Sequence, residues 1–219
     1  MSDEYSENGE DGVLLQIFTR LGLLKTEEPR YCVEFGAWDG KKGSNTFQFV
    51  KNYNYSAIYI ESKRKRFKQL KETQKQYPNI IALNNKVNYK ENSRNSLDHL
   101  LQKNRVPMSF QLLSIDIDSY DLAVFENLNN FIPFVVVIEI DSSIKPGIIS
   151  SHSKKNPGNS FSATVAVGIK KNYTLVCHTG NLIFVHNSKY QFLDIDPRFK
   201  QHPEDLFLYD SIWTNTTRF

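Results

Sequence analysis

The sequence predicts an α/β domain with a doubly wound, mostly parallel sheet and an antiparallel edge strand. Three observations carry this. Strand-like and helix-like segments alternate through five strands, the order that a parallel sheet with right-handed crossovers requires. Tyr31-Cys-Val-Glu-Phe-Gly-Ala-Trp-Asp-Gly40 runs from β-prone alternation into a tight glycine turn, with Ser44-Asn-Thr46 placed to cap a helix over Phe47–Asn52. Near the other end, Tyr173–Cys177 and Leu182–Val185 are separated only by His178-Thr-Gly-Asn181, as in an antiparallel pair.

A chain of 219 residues suits one domain with a real core. We expect residues 1–219 to be that domain, with an N-terminal helix over 12–24, a cofactor half over 31–118 and a substrate-side loop over 142–161. The net charge of +3 is less than a nucleic-acid binder usually concentrates. No apolar run reaches membrane-spanning length, and Met1–Glu7 has no apolar core, so neither a span nor a secretory signal is expected. Cys32 and Cys177 lack metal-site spacing and read as buried, reduced thiols of a cytoplasmic protein.

Along the chain, Val13, Leu14, Ile17, Phe18 and Leu21 fall at helical spacing. Ser56–Glu61 is a strand ending in an acid. Lys63–Gln76 is a helix whose basic run Lys63–Arg66 suits a solvated face better than a phosphate patch. Ile80–Leu83 is a short strand, and Ser96 caps a helix through Leu101. Gln111–Ile117 is a strand, Leu122–Leu128 a helix, and Phe134–Ile140 the most apolar strand, expected at the sheet centre. Residues 142–161 form a long polar loop of the kind that is usually functional or disordered. Ser162–Lys171 is a helix. The aromatic tail (Phe192, Phe199, Phe207, Tyr209, Trp213, Phe219) is expected to pack within the chain, with another subunit as the alternative that would make an oligomer.

Ligands of such sheets bind outside the carboxyl ends of the strands, where Gly36, Glu61, Asn85, Asp116 and Glu139 fall. An acid roughly 25 residues after the first glycine, here Glu61, hydrogen-bonds ribose hydroxyls in nucleotide-binding folds. Gly36-Ala-Trp-Asp-Gly40 is neither G-x-G-x-x-G nor a P-loop. A cofactor without a pyrophosphate fits better, and S-adenosylmethionine is one. Glu34 and Asp39 are placed to receive its ammonium, and the helix start after Asn45 its carboxylate.

Glu34-Phe-Gly-Ala-Trp-Asp-Gly40, Ser44-Asn-Thr46, the strand ending at Glu61, Ser96-Leu-Asp-x-Leu-Leu101, Leu113-Ser-Ile-Asp-Ile-Asp-x-x-Asp121 and the opening Ser6-x-x-Gly-Glu-Asp-Gly12 resemble class I S-adenosylmethionine-dependent methyltransferases of Rossmann-like fold, and more narrowly the FkbM-like group. The resemblance covers most of residues 6–141. It implies O-methylation of a hydroxyl on a sugar, nucleotide-linked sugar or glycan. It also implies that Glu61 holds the ribose, that Gly36, Ala37 and Asp39 line the methionine end, that Asn85 to Val87 flank the adenine, and that Asp116 closes the site. Two departures stand out. Trp38 replaces the middle glycine of the common G-x-G-x-G pattern, and Asp118-Ser119 stands where the group often has Glu-Gly.

Methyl transfer to oxygen needs an aligned acceptor and a proton acceptor. Asp116 and Asp118 are the candidates, on one side of the chain if the strand has already turned. His152 and His178 are the histidine alternatives. In a metal-assisted version, Asp116 and Glu139 at the ends of strands four and five would hold magnesium, with Asp118 or Asp141 nearby. Lys145, His152, Ser153, Lys154 and Lys155 make the 142–161 loop basic enough to favour a nucleotide-linked sugar. Two other classes remain. A methyltransferase-like scaffold without turnover is suggested by Trp38. An RNA methyltransferase is less favoured, because no lysine near the first strand completes the Lys-Asp-Lys-Glu tetrad.

Overall fold

The computed structural model describes residues 5–26, 29–153 and 158–209. Seven strands form one sheet: β1 (Tyr31–Phe35), β2 (Ser56–Ile60), β3 (Ile80–Leu83), β4 (Ser109–Ile115), β5 (Ile132–Glu139), β6 (Tyr173–His178) and β7 (Asn181–His186). Their spatial order is β3-β2-β1-β4-β5-β7-β6. The first five are parallel, with Val33 of β1 paired to Ile58 of β2 and to Leu113 of β4. The antiparallel strand is β7, which runs beside β5; β6 pairs with β7 and forms the outer edge. The strand order reverses between β1 and β4, and this switch point is where such sheets take ligands.

Among the described residues, the helices of six residues or more cover the two faces: α1 (Glu10–Arg20), α2 (Phe47–Tyr53), α3 (Arg64–Gln76), α4 (Leu97–Lys103), α5 (Asp121–Glu126) and α6 (Phe161–Lys170). Period-two alternation in the strands decides what each face buries. Val33 and Phe35 of β1, Ile58 and Ile60 of β2, and Leu113 and Ile115 of β4 point to one side, where Leu97, Leu101, Phe125 and Phe161 of α4, α5 and α6 meet them. Cys32, Ala57, Tyr59 and Leu112 point to the other, against Leu14 and Phe18 of α1, Phe49 of α2 and Leu70 of α3. Each large apolar side chain withdrawn from water this way contributes roughly 1.5–3 kcal/mol.

Local chemistry sets the element ends. The first helix spans Glu10–Arg20 rather than 12–24: Glu10 and Asp11 occupy its first turn, and Gly22, at φ 67, stops it. Ser96 caps α4 by accepting from the His99 N–H, as expected, and Ser160 caps α6 through the Ala163 N–H. The fourth strand ends at Ile115, two residues before the expected Ile117. Asp121 is the cause: its carboxylate accepts from the Ile117 and Ser119 N–H groups and folds the chain into a turn. Gln111, buried in β4, accepts from the Tyr31 N–H and ties the start of β1 to its neighbour.

Of the tail aromatics, Phe207 is buried against His178 and Phe161. Phe192 and Tyr209 stay exposed, while Trp213 and Phe219 lie outside the described residues. Cys32 is buried, but Cys177 is only half-buried. Burial raises the Cys32 thiol far above its usual range and pushes that of Cys177 up to about 11, so both are poor nucleophiles at neutral pH. Among the described residues no helix is long and apolar enough to cross a membrane.

Candidate functional site

A cleft of about 220 Å³ opens at the carboxyl ends of β1, β2, β4 and β5. Gly36, Trp38, Asn45, Glu61, Asp116, Asp118 and Glu139 line it, joined by Glu7, Asn8, Lys42, Gly43, Ser62, Lys63, Arg66, Ile117 and Asn181. Gly36, Asn45, Glu61, Asp116, Asp118 and Glu139, half of the sequence-predicted site residues, therefore meet in one place.

The glycine turn is shaped by close approach. Gly36 adopts φ 84, and a Cβ there would lie 1.6 Å from the Asp116 carbonyl oxygen. No side chain fits between β1 and β4 at this point. Gly40, at φ 79, packs instead on Leu70 and Tyr59 and serves the turn alone. Trp38, in place of a glycine, keeps a left-handed backbone at φ 46. Such a conformation costs a bulky residue about 1–3 kcal/mol. Part of that cost is offset by its N–H, which donates to Glu61 Oε2 at 3.0 Å, and by its ring, which stacks 4.0 Å from the Arg66 guanidinium.

Glu61 is 3 % exposed and carries two backbone donors, from Trp38 on one oxygen and Lys63 on the other. A carboxylate has about four acceptor positions, so two remain for hydroxyls in the cleft. It both pins the first turn and holds Lys63, the residue that precedes α3.

Asp116, Asp118 and Glu139 bring carboxylate oxygens within 4.8 Å of one another, as a divalent-metal site requires. The early end of β4 puts Asp116 and Asp118 on one side, with Asp118 in a left-handed conformation at φ 56. Asp116 and Glu139 hydrogen-bond to each other. Desolvation at the cleft floor raises both their pKa values. The Asp121 and Asp118 charges add to this at Asp116, and those of Asp116, Asp121 and Asp118 at Glu139. Like charges this close share one proton.

Several expected contacts are not made. Glu34 is buried beneath the turn, and its carboxylate accepts from the Ser44 and Thr46 hydroxyls and the Asn45 N–H. Burial raises its pKa, against those hydrogen bonds. It organises the 44–46 segment and offers nothing to a ligand's ammonium. Asp39 accepts the Lys41 and Lys42 N–H groups on Oδ1 and does not line the cleft. At the helix start after Asn45, the Thr46 and Phe47 N–H groups donate to Ser44 Oγ. Ala37 is buried in the core. Asn85 pairs with Asn95 and Val87 is buried in the other core, so neither flanks the cleft; Ser62, Lys63 and Arg66 form that wall.

His152 lies against Tyr120 in a separate cavity of about 380 Å³ between α5, α6 and the 142–161 loop. Lys145 is exposed, and Lys154 and Lys155 lie outside the described residues. His178 is buried at 2 % exposure. Its Nδ1 accepts from the Leu208 N–H, so Nε2 carries the proton and donates to Ser142, and no base is available there. Burial lowers its pKa to about 4, from 6.5. A depressed folded pKa means stability that is complete above about pH 6.5 and is lost as pH falls toward 4. We expect this one group to remove up to roughly 3 kcal/mol. Urea unfolding at about pH 7 and about pH 4.5 should show a larger acid loss in the wild type than in His178→Phe, and equal losses would contradict this.

Glu7, Asn8, Lys42 and Asn181 were missed by sequence reasoning. The first two sit in the Ser6-x-x-Gly-Glu-Asp-Gly12 motif, which was the available signal.

No protein-family model and no curated protein matches the sequence. Solved structures do match. The CurJ carbon methyltransferase aligns with a TM-score of 0.54 at 9% identity, over 80% of this chain and 53% of its own. The CMeT domain of the citrinin polyketide synthase aligns at 0.51 and 12%, over 84% and 54%. A candidate sarcosine dimethylglycine methyltransferase from Galdieria sulphuraria aligns at 0.50 and 13%, over 76% and 60%. This chain thus spans little more than half the length of these longer proteins. With the β1–β4 switch point and the cleft beside it, these alignments show that the chain has the Rossmann-like fold of class I methyltransferases.

Proposed function

We propose that the chain, as a single domain over 1–219, is a cytoplasmic S-adenosylmethionine-dependent O-methyltransferase of the FkbM-like group, acting on a hydroxyl of a sugar, nucleotide-linked sugar or glycan. The observation that carries this is Glu61, an acid with two open acceptor positions that lines the cleft beside the switch point together with Asp116 and Asp118. The unpaired cysteines support a reducing compartment.

When bound, the cofactor supplies a methyl group on a positively charged sulfur, already activated for displacement. Glu61 holds the ribose hydroxyls, and Gly36 lets the backbone come close. Asp116, with Asp118 beside it, would orient the acceptor hydroxyl and take its proton. The Asp116, Asp118 and Glu139 oxygens also fit magnesium, which these residues would hold and which would polarise the acceptor oxygen.

The test is methyl transfer to a panel of nucleotide sugars, with and without magnesium, read by mass spectrometry. We expect a methylated hydroxyl, and a loss of about 100-fold or more in turnover for Asp116→Asn. Cofactor binding with no transfer to any hydroxyl would favour the second reading, a scaffold without turnover, for which Trp38 in the glycine position is the specific support.

A further inference from the structure

The amino-acid end of the cofactor has no receptor where the sequence places one. Glu34 and the backbone N–H groups of Asn45, Thr46 and Phe47 are engaged within the protein, and Asp39, whose Oδ1 accepts from the Lys41 and Lys42 N–H groups, does not line the cleft. Asp116, Asp118 and Glu139 face one another at the ends of β4 and β5. Glu61 is held by Trp38 and Lys63 at the end of β2.

Two charged side chains line the cleft at its remaining wall, beside Gly43. Glu7 comes so near that a Cβ on Gly43 would stand 3.0 Å from its Oε1. No hydrogen bond or ion pair engages its carboxylate among the described residues. Lys42 precedes Gly43 and lines the same wall, its Nζ 5.0 Å over the Trp38 ring and without a carboxylate partner among the described residues.

The position of Glu7 is built by the rest of its motif. Asp11, buried, accepts from the Tyr5 and Ser6 N–H groups and from the Gln48 side chain of α2. Glu10, fully buried, accepts from Asn8 N–H and from the Thr179 and Asn181 side chains at the β6–β7 turn. Two acids thus anchor residues 5–9 as a strap across the mouth of the sheet, and the third, Glu7, is left facing the cleft. Anchoring of this kind is what a binding residue on a chain end needs to be positioned in advance.

We propose that Glu7 and Lys42 together receive the zwitterionic amino-acid end of the cofactor, Glu7 the ammonium and Lys42 the carboxylate. An α-amino acid presents one positive and one negative group on a single carbon, and this wall offers one partner for each. The inference rests on the reading of the cofactor as S-adenosylmethionine, and the test separates the two.

S-adenosylhomocysteine and 5′-methylthioadenosine share the adenosine and the thioether, but only the first has the amino-acid end. Both are titrated calorimetrically into the wild type, Glu7→Gln and Lys42→Met. We expect each variant to weaken S-adenosylhomocysteine by about 10-fold and to leave 5′-methylthioadenosine unchanged. Equal losses for the two ligands, a loss in one variant only, or no loss in either would overturn the paired receptor while leaving the cofactor class standing. A wild type that binds neither ligand would overturn the cofactor reading and the inference with it.

Discussion

Glu61→Ala is expected to lower the affinity for S-adenosylhomocysteine by at least about 100-fold. Two effects add. A carboxylate bonded to two ribose hydroxyls is worth about 1.5–3 kcal/mol for each charged hydrogen bond, and both are lost. The substitution also strips the acceptor from the Trp38 and Lys63 N–H groups. Trp38 sits in a left-handed conformation that this bond helps to hold, so the first turn loosens as well. Glu61→Gln keeps one acceptor oxygen and should fall between the wild type and the alanine variant. Calorimetric titration checks the order, and a wild-type affinity in Glu61→Ala would remove Glu61 from the site.

Gly36→Ala should be more damaging still, because it acts on the fold. The added methyl would stand 1.6 Å from the carbonyl oxygen of Asp116, and the backbone at φ 84 is itself unfavourable for alanine. The left-handed conformation costs roughly 1–2 kcal/mol and forced overpacking about 1–3 kcal/mol. The contact is with backbone, which no rotamer change can relieve, so β1 and β4 must separate. We expect a loss of at least about 3 kcal/mol, seen as a fall in Tm of roughly 6–12 °C, together with loss of cofactor binding. Gly40→Ala would press on the Leu70 and Tyr59 side chains instead, which can give way. An unchanged Tm in Gly36→Ala would show that the close approach of the two strands is not what the glycine is for.

The sheet was legible because its strands are short β-prone runs, such as Tyr31–Phe35, or continuous apolar ones, such as Ile132–Glu139, each followed by a turn and a helix. Glu61 and Asp116 were legible because each is an acid directly after an apolar strand, β2 ending at Ile60 and β4 at Ile115. What the sequence hides is how each polar group is already spent. Glu34 and Asp39 have the right charge, but neither lines the cleft, Glu34 holding the Ser44 and Thr46 hydroxyls and Asp39 the Lys41 and Lys42 N–H groups. Asn85 and Val87 were placed by counting from a four-residue strand, and the following loop folds away, with Asn84 tied to the Glu61 and Ser62 carbonyls. Glu7 and Asn181 reach the cleft from segments 174 residues apart in the chain, a juxtaposition that only the folded topology makes. Asp118 was half legible: its candidacy depended on where β4 ends, and buried Asp121 decides that by turning the chain early.

The most direct test of the central claim, that the cleft beneath Glu61 is a cofactor site, is calorimetric titration of the unmodified protein with S-adenosylhomocysteine. We expect one site per chain, with a Kd of about micromolar order, corresponding to about −8 kcal/mol. No detectable binding at about millimolar ligand would contradict it.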